Sequence, residues 1–212
     1  MHIELTCVYD LLGKTFDAAL NIGLVFDNTM VGESMVKVKN FAKRLVDSFT
    51  ISDDAARFSL MFYGYRPSLD VLFKDGLNAD ELKMTIDDAK GQSGKAQIDT
   101  ALQEAADRMF SAENSGGRSS QPKVLILFSS GSSVSDPARL NKAVEALRRA
   151  GVRIYIVMIG EGELGKMQGI AGREYVYSVR GYDYLLGVVN RLVTSAAQYT
   201  GGGCNVVFNI LF

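Results

Sequence analysis

The sequence predicts an α/β fold, in which helices cover both faces of a doubly wound, mostly parallel sheet. Three apolar runs, over residues 19–26, 123–128 and 152–159, have the length and composition of strands that are buried on both faces. Each run is followed by a segment with the apolar periodicity of a helix. Two parallel strands need a crossover connection between them, and that crossover is usually a helix. Strands that alternate with helices therefore indicate a mostly parallel sheet.

The first half of the chain supplies a strand, a helix, a pair of strands and two further helices. The predicted elements are a strand over 19–26, a helix over 32–49, strands over 56–63 and 69–73, and helices over 79–89 and 98–110. The second member of the strand pair follows a Tyr-Arg-Pro turn, and we expect it to be the one antiparallel edge strand. Asn78 is the expected N-cap of the helix that begins at residue 79.

The second half of the chain continues the alternation to a C-terminal helix. The predicted elements are strands over 123–128, 152–159 and 175–177, the last of them central, and helices over 137–150, 164–170 and 183–199. Asp136 and Pro137 are the expected cap and first residue of a helix, and Gly151 ends the same helix. Residues 111–121 form the one clear flexible loop.

The helix over 32–49 carries apolar residues at steps of three and four, which predicts one buried face. We expect Phe41 and Leu45 on this face to pack against a sheet surface formed by Leu24, Leu125 and Ile126. No internal repeat and no change of composition marks a second domain.

The composition is that of an ordinary globular domain. Of 212 residues, 47% are apolar and 22% are charged, and the formal net charge is −1. Because no basic field attracts a phosphate backbone, we expect no nucleic-acid partner. No apolar run approaches the ~18–20 residues of a membrane span. The chain starts without the regions of a signal peptide, so we expect either a cytosolic protein or a mature or excised segment.

The residues of common catalytic sites are scarce, so we expect no enzyme and no catalytic residue. His2 is the single histidine, which excludes Ser-His-Asp and Cys-His catalysis and histidine-rich metal sites. The two cysteines, Cys7 and Cys204, cannot form a structural zinc site without histidines. From the residues alone, they are either two free thiols or one disulfide that joins the two ends of the chain in an oxidising compartment.

Residues 160–166 match two phosphate-binding patterns, G-x-G-x-x-G and G-x-x-x-x-G-K. Phosphate loops bind through backbone N–H groups, and Glu161 and Glu163 would place negative charge among them. Met167 stands where a Walker loop needs Ser or Thr for magnesium. We therefore expect a glycine-rich turn and no nucleotide.

Residues 27–34 follow the first buried strand and lead into the first helix. An acid and hydroxyl groups at the carboxyl end of a strand suit Mg²⁺ or Ca²⁺. The same stretch resembles the opening of a von Willebrand factor A domain, and further matches follow in the family's order. The matching segments are 24–30, 33–34, 38–41, 80–82, 101–103, 109–110, 122–127, 150–152 and 159–160.

The resemblance covers roughly residues 18–197 and implies the Rossmann-like fold of that family. It places the A domain over 18–199, between an N-terminal extension over 1–17 and a C-terminal extension over 200–212. Both extensions contain β-prone segments, 3–9 and 205–212, which could form a small two-stranded ribbon if the cysteines pair. The alternative is that they are frayed tails or pieces of neighbouring domains.

That family often carries a metal-ion-dependent adhesion site, with Asp-x-Ser-x-Ser after the first strand, a Thr before the third helix and an Asp after the fourth strand. Asp27 matches the first aspartate, Thr29 replaces the first serine with another hydroxyl, and Val31 replaces the second serine. The threonine position falls on Ala96, with Ser93 close by.

The second aspartate of that motif falls on Ser130, so one carboxylate remains. A single carboxylate compensates a hard dication poorly. We therefore expect a degenerate site with Asp27, Thr29 and Ser130 as remnants. We expect no cofactor; the alternative is a weakly bound divalent cation such as Mg²⁺, which we do not expect.

The resemblance implies a non-enzymatic, secreted adhesion or matrix module. It implies a partner such as an extracellular matrix protein or polymer, for example collagen, or a second copy of the chain. The expected partner-binding residues are Asp27, Thr29, Glu33, Ser130 and Asp136. The resemblance also implies a Cys7–Cys204 disulfide. The alternative function is an intracellular A-domain scaffold with reduced cysteines in a multi-protein assembly.

Overall fold

The computed structural model describes residues 15–198 except 117, 131, 132, 134, 161 and 162. Its strands are β1 (Leu20–Asp27), β2 (Ala56–Tyr63), β3 (Pro67–Val71), β4 (Lys123–Ser129), β5 (Val152–Ile159) and β6 (Val176–Val179). Its helices are α1 (Glu33–Asp47), α2 (Ala79–Asp88), α3 (Ile98–Glu104), α4 (Pro137–Arg149), α5 (Leu164–Ala171) and α6 (Leu186–Gln198). Within the described residues, no helix is long and apolar enough to cross a bilayer.

The strands form one six-stranded sheet in the order β3-β2-β1-β4-β5-β6. Every pairing is parallel except that of β3 with β2, which confirms the predicted fold class and its antiparallel edge strand. The predicted bounds of β2 and β5 are confirmed at both ends.

The local sequence signals for helix ends are confirmed. The Asn78 side chain accepts hydrogen bonds at the start of α2, and Glu81 accepts one from the Asn78 backbone at 2.9 Å. Asp136 accepts a hydrogen bond from the backbone nitrogen of Arg139 at 2.8 Å and so caps α4. Gly151 has φ +73°, the left-handed conformation that glycine adopts after a helix.

The core has two layers, one on each face of the sheet. Helices α1, α2 and α6 cover one face, where Phe41 and Leu45 pack with Leu24 and Ile126. Helices α3, α4 and α5 cover the other face, where Leu125 is buried. The prediction that Leu125 packs beneath Phe41 and Leu45 is therefore wrong, because successive side chains of a strand point to opposite faces.

Three other predictions are corrected, one about the order of the strands and two about the ends of elements. The last strand is an edge strand, since β6 pairs with β5 alone among the described strands. The strand predicted over 69–73 ends at Val71, because Phe73 begins a short 3₁₀ turn. The closing helix begins at Leu186, since Tyr182–Tyr184 form another 3₁₀ turn.

The end of α3 lies unusually close to β1. After Glu104 the helix continues as a π-helical segment, Ala105–Met109. A side-chain carbon at Gly23 would lie 2.5 Å from the Met109 sulfur and 2.9 Å from the Phe110 ring. The missing side chain of Gly23 therefore makes room for these two residues on the sheet.

The buried residue Arg118 anchors the predicted loop over 111–121 to the sheet region through hydrogen bonds. The Arg118 guanidinium donates to the Ala55 carbonyl at 2.6 Å, and the Asn21 amide donates to the Arg118 carbonyl at 3.0 Å. Burial lowers the pKa of Arg118, and the nearby Arg57 charge lowers it further.

The carboxyl ends of the parallel strands meet at one end of the sheet, which we call the upper rim. The rim also includes the α2–α3 loop (residues 89–97), which hydrogen bonds join to the ends of two strands. Gln92 donates its backbone N–H to the Asn28 carbonyl at 2.7 Å, and Gln97 donates to the Gly64 carbonyl at 2.9 Å.

Candidate functional site: a buried carboxylate beneath the upper rim

Asp27 is the last residue of β1 and is only 1% exposed. Its strand lies between β2 and β4, so the carboxylate sits in the middle of the sheet's carboxyl end. An ionised side chain in such a place needs hydrogen bonds or a counter-charge.

Four hydrogen bonds satisfy the Asp27 carboxylate. Its Oδ1 accepts from the Thr29 hydroxyl at 2.6 Å and from the Thr29 backbone N–H at 3.1 Å. Its Oδ2 accepts from the Ser130 hydroxyl at 2.6 Å and from the Ser130 backbone N–H at 3.2 Å. The structure thus brings together Asp27, Thr29 and Ser130, and donors of the protein itself compensate the carboxylate charge.

Tyr63, at the end of β2, completes the buried layer and was not found by sequence reasoning. Its hydroxyl donates to the Phe128 carbonyl at 3.1 Å. Burial raises the pKa of Tyr63 well above its ordinary value, and the Asp27 charge raises it further. A hydrogen bond with Ser129 acts in the opposite direction. The phenol therefore stays protonated beside the carboxylate.

Asn28 joins the buried layer to the α2–α3 loop and was also missed. Its backbone N–H donates to the Tyr63 carbonyl at 2.7 Å, and its side-chain amide donates to the Lys90 carbonyl. Asn28 is 3% exposed, and its Oδ1 is a buried atom with no hydrogen-bond partner among the described residues. Sequence analysis had no signal for these contacts, because residues 28 and 90 are far apart in the chain.

The remaining positions of the family's metal site do not supply ligands. Val31 is 75% exposed, and Ala96 is a buried apolar residue. Ser93 is exposed on the α2–α3 loop. Among the described residues, no three His, Cys, Asp or Glu side chains converge where they could hold a metal ion.

The residues that surround Asp27 therefore do not fit a tightly held divalent cation. Mg²⁺ and Ca²⁺ require several oxygen ligands, with carboxylates that balance their charge. Here Asp27 is the single carboxylate of the cluster, and each of its oxygens already accepts two hydrogen bonds.

Glu33 lies apart from this cluster, although sequence analysis placed it on the binding surface. It forms an ion pair with Lys37 at 2.7 Å, and Lys37 also pairs with Asp183 at 2.8 Å. The hydrogen bond to Asp183, followed by that to Glu33, raises the pKa of Lys37.

Asp136, at the start of α4, also forms its interactions apart from the Asp27 cluster. Besides capping the helix, it donates its backbone N–H to the Asp99 carboxylate at 3.2 Å. Asp99 is 3% exposed and lies 3.5 Å from the Arg139 guanidinium. Asp99 was missed because an acid in the first turn of a helix ordinarily stabilises the helix itself.

Two exposed apolar side chains flank the α2–α3 loop on the upper rim. Val31 is 75% exposed, and Tyr65 is 59% exposed. A side-chain carbon at Gly91 would lie 3.9 Å from Val31, and one at Gly94 would lie 3.7 Å from Tyr65. The loop thus separates two solvent-facing apolar residues directly above the buried layer.

The lysine of the glycine-rich segment is engaged within the protein. Lys166 pairs with Glu163 at 3.2 Å and donates to the Ser133 carbonyl at 3.3 Å. Glu161 and Gly162 lie outside the described residues. Cys7, Cys204 and the predicted ribbon also lie outside them, so their pairing stays a prediction.

Comparison with known proteins identifies relatives along most of the chain. The chain is 31% identical over 128 residues to mouse von Willebrand factor A domain-containing protein 1, covering 60% of this chain and 30% of that protein. It is 25% identical over 168 residues to chicken matrilin-3, covering 76% of this chain and 35% of that protein. The chain therefore spans about a third of the length of each of these two relatives.

Solved structures show the same fold. Proximal thread matrix protein 1 from the mussel byssus superposes with a TM-score of 0.79 at 22% identity, over 86% of this chain and 49% of that chain. Another structure of the mussel protein has a zinc-occupied MIDAS motif. It superposes with a TM-score of 0.74 at 24% identity, over 85% of this chain and 46% of that chain.

The family assignment rests on a sequence model of a whole domain. The sequence model of the von Willebrand factor type A domain matches residues 21–191, a range that includes Asp27, Ser130 and all six strands apart from the first residue of β1. The resemblance noted from the sequence is thereby confirmed. The chain belongs to the von Willebrand factor type A domain family.

Proposed function

We propose that this domain is a non-enzymatic adhesion or matrix module, which binds a protein or polymer partner through its upper rim. The observation that carries the proposal is the exposure of Val31 and Tyr65 above a fully hydrogen-bonded Asp27. Solvent-facing apolar side chains at the rim of a site favour contact with a macromolecule. The similarity to matrilin-3 and to a byssus matrix protein supports a role of the matrix type.

The chemistry of the buried layer supports binding rather than catalysis. Both oxygens of Asp27 accept hydrogen bonds, so the carboxylate is not placed to remove a proton from a substrate. Tyr63 is fully buried and donates to a carbonyl group. Lys166 is paired with Glu163. These groups stabilise the rim, and the exposed residues around them contact the partner.

In this proposal Asp27 does not touch the partner, because it is buried beneath Thr29 and Ser130. The proposed contact residues are Thr29, Ser130 and the exposed side chains around them. Glu33 and Asp136 are exposed on the same end of the sheet and belong to its outer part. The partner is a matrix protein or polymer such as collagen, or a second copy of the chain. The protein is proposed to be secreted, with Cys7 paired to Cys204.

The test is a matched pair of substitutions at exposed apolar residues. Val31→Asp places a charge on the upper rim, and Met84→Asp places the same charge on α2, where Met84 is 66% exposed. Binding is measured by surface plasmon resonance to immobilised fibrillar collagen, collagen VI and the chain itself.

We expect Val31→Asp to weaken binding to at least one of these probes by about tenfold or more, and Met84→Asp to leave it unchanged. Equal binding by both variants and the original chain would contradict the use of the upper rim. Absence of binding to every probe by the original chain would contradict the proposed partner class.

A further inference from the structure

Three exposed cations lie on or next to the α2–α3 loop on the upper rim. Lys90 and Lys95 lie on the loop itself, and Arg66 lies in the turn between β2 and β3. None of the three forms an ion pair with a described residue. The chain as a whole has a net charge of −1, so this local excess of positive charge does not reflect a basic protein.

Three other cations near the same end of the sheet are already paired. Lys37 binds two carboxylates, Lys166 binds Glu163, and Arg139 lies beside Asp99. Arg180 is exposed and without an ion-pair partner among the described residues, but it follows β6. Four strand spacings separate β6 from β2, which is about 19 Å at ~4.8 Å per strand.

Hydrogen bonds position the backbone segments that carry the three cations. The Lys90 carbonyl accepts from the Asn28 side chain, which fixes the start of the α2–α3 loop. The Gly64 carbonyl accepts from Gln97 at 2.9 Å, which fixes its end beside the turn that carries Arg66. The Arg66 guanidinium lies 5.9 Å from the centre of the Tyr65 ring.

The apolar residues of the rim lie among these charges. Tyr65 precedes Arg66 in the turn, and Val31 lies beside the α2–α3 loop. Tyrosine and arginine are enriched among residues that contribute most to protein–protein binding. Asp88, which is exposed at the end of α2, is the acid nearest to Lys90 in the sequence.

We infer that the partner offers an acidic protein segment with an apolar side chain among its carboxylates. This inference rests on the proposed function and specifies its partner. The carboxylates pair with Lys90, Lys95 and Arg66, and the apolar side chain packs against Val31 and Tyr65. The positive charge that attracts the ligand then comes from side chains of the protein. A sulfated polysaccharide would match the cations, but it has no apolar side chain to cover Val31.

The test selects binders from a phage-displayed library of random short peptides, with the purified chain as target at low ionic strength. We expect the recovered peptides to be enriched in Asp and Glu around one apolar residue. Their affinity should fall when the ionic strength rises from about 0.05 M to about 0.5 M, because salt screens exposed charges.

Two charge-reversed variants decide whether the three cations are responsible. Lys90→Glu with Lys95→Glu should weaken binding of the recovered peptides by about tenfold or more. Arg180→Glu, a distant exposed cation at the same end of the sheet, should leave binding unchanged.

Other outcomes overturn the inference. Recovered peptides without acidic enrichment, or equal binding by the Lys90/Lys95 variant, would show that the cations do not select the partner. In another outcome, the chain is retained on immobilised heparin through Lys90 and Lys95 while no acidic peptides are recovered from the library. That result would assign the surface to a polysaccharide. If Val31→Asp still abolishes binding to a matrix probe in these cases, the proposed function stands and only the acidic partner is wrong.

Discussion

Ser130 donates two hydrogen bonds to Asp27, one from its hydroxyl at 2.6 Å and one from its backbone N–H at 3.2 Å. The two residues are 103 positions apart and lie at the ends of the neighbouring strands β1 and β4. In the family's motif the position of Ser130 is an aspartate. A serine there supplies donors to the carboxylate, whereas a second carboxylate would supply negative charge for a cation.

The first prediction concerns the stability that Ser130 contributes. Ser130→Ala should lower the free energy of unfolding by about 1.5–3 kcal/mol, because it removes a hydrogen bond to a buried carboxylate. Ser68→Ala is the control, since the Ser68 hydroxyl bonds to the exposed Asp70 and its loss should cost at most about 0.5 kcal/mol. Urea denaturation measures both. Equal effects would show that the buried hydrogen bond contributes no more than a surface one.

The second prediction concerns divalent cations. Calorimetric titration with Mg²⁺, Ca²⁺ and Mn²⁺ should show no site tighter than about millimolar, because Asp27 is a single carboxylate whose oxygens already accept hydrogen bonds. Binding of a partner should persist in EDTA. A micromolar Mg²⁺ site that disappears in Asp27→Ala would mean that Thr29 and neighbouring groups rebuild a coordination shell.

The third prediction concerns alkaline pH and Tyr63. The folded-state pKa of Tyr63 is raised, so below pH ~10 the phenol is protonated in both states and its contribution is complete. Above that pH the unfolded chain loses the proton first, so stability should fall as the pH rises. Burial raises the pKa of Tyr155 to about 12, so this residue contributes to the same fall.

Tyr63→Phe should therefore lose less stability than the original chain between about pH 8 and about pH 11. At neutral pH it should cost about 0.5–1.5 kcal/mol through the lost hydrogen bond to Phe128. Tyr184→Phe, at a residue that is 63% exposed, is the control and should leave the pH profile unchanged. Urea denaturation at each pH provides the comparison. An unchanged profile in Tyr63→Phe would show that Tyr63 is not a source of the alkaline sensitivity.

The fourth prediction tests the packing of α1. Leu45→Ala should lower the free energy of unfolding by about 2–5 kcal/mol, because Leu45 is fully buried and its truncation leaves a cavity. Val36 lies on the same helix and is 55% exposed, so Val36→Ala should change stability by about 0.5 kcal/mol or less. The shift of the denaturation midpoint checks both variants. A midpoint that does not move in Leu45→Ala would contradict the buried face of α1.

The fifth prediction is the disulfide between Cys7 and Cys204. Alkylation under denaturing, non-reducing conditions should leave the intact mass without added alkyl groups. A bond that closes so long a loop contributes about 5 kcal/mol in the chain-entropy picture, less any strain of the folded state. Two alkylated thiols would remove both the bond and the strongest argument for a secreted protein, and would favour the intracellular scaffold.

Local patterns in the sequence were sufficient to predict the strands and helices and several of their ends. The apolar run over 19–26 predicted β1, and the runs over 123–128 and 152–159 predicted β4 and β5. A strand that is buried on both faces is apolar along its whole length, so it is recognised from the sequence alone. Asn78 and Asp136 predicted two helix starts because a cap acts on backbone groups only two or three residues away. The family's residue order then placed Asp27, Thr29 and Ser130 in one site.

Tertiary structure alone decided which of these residues face solvent and which meet each other. Asp27 was expected on a binding surface and is buried, because Ser130 and Thr29 fold over it from two loops. Leu125 lies on the opposite face of the sheet from Leu45, and Asn28 reaches a loop some sixty residues away. These outcomes depend on strand order and on contacts between distant segments, which a local pattern does not encode. The same contacts place the loop that carries Lys90 and Lys95 next to Val31 and Tyr65, so the chemistry of the upper rim became visible only in the folded chain.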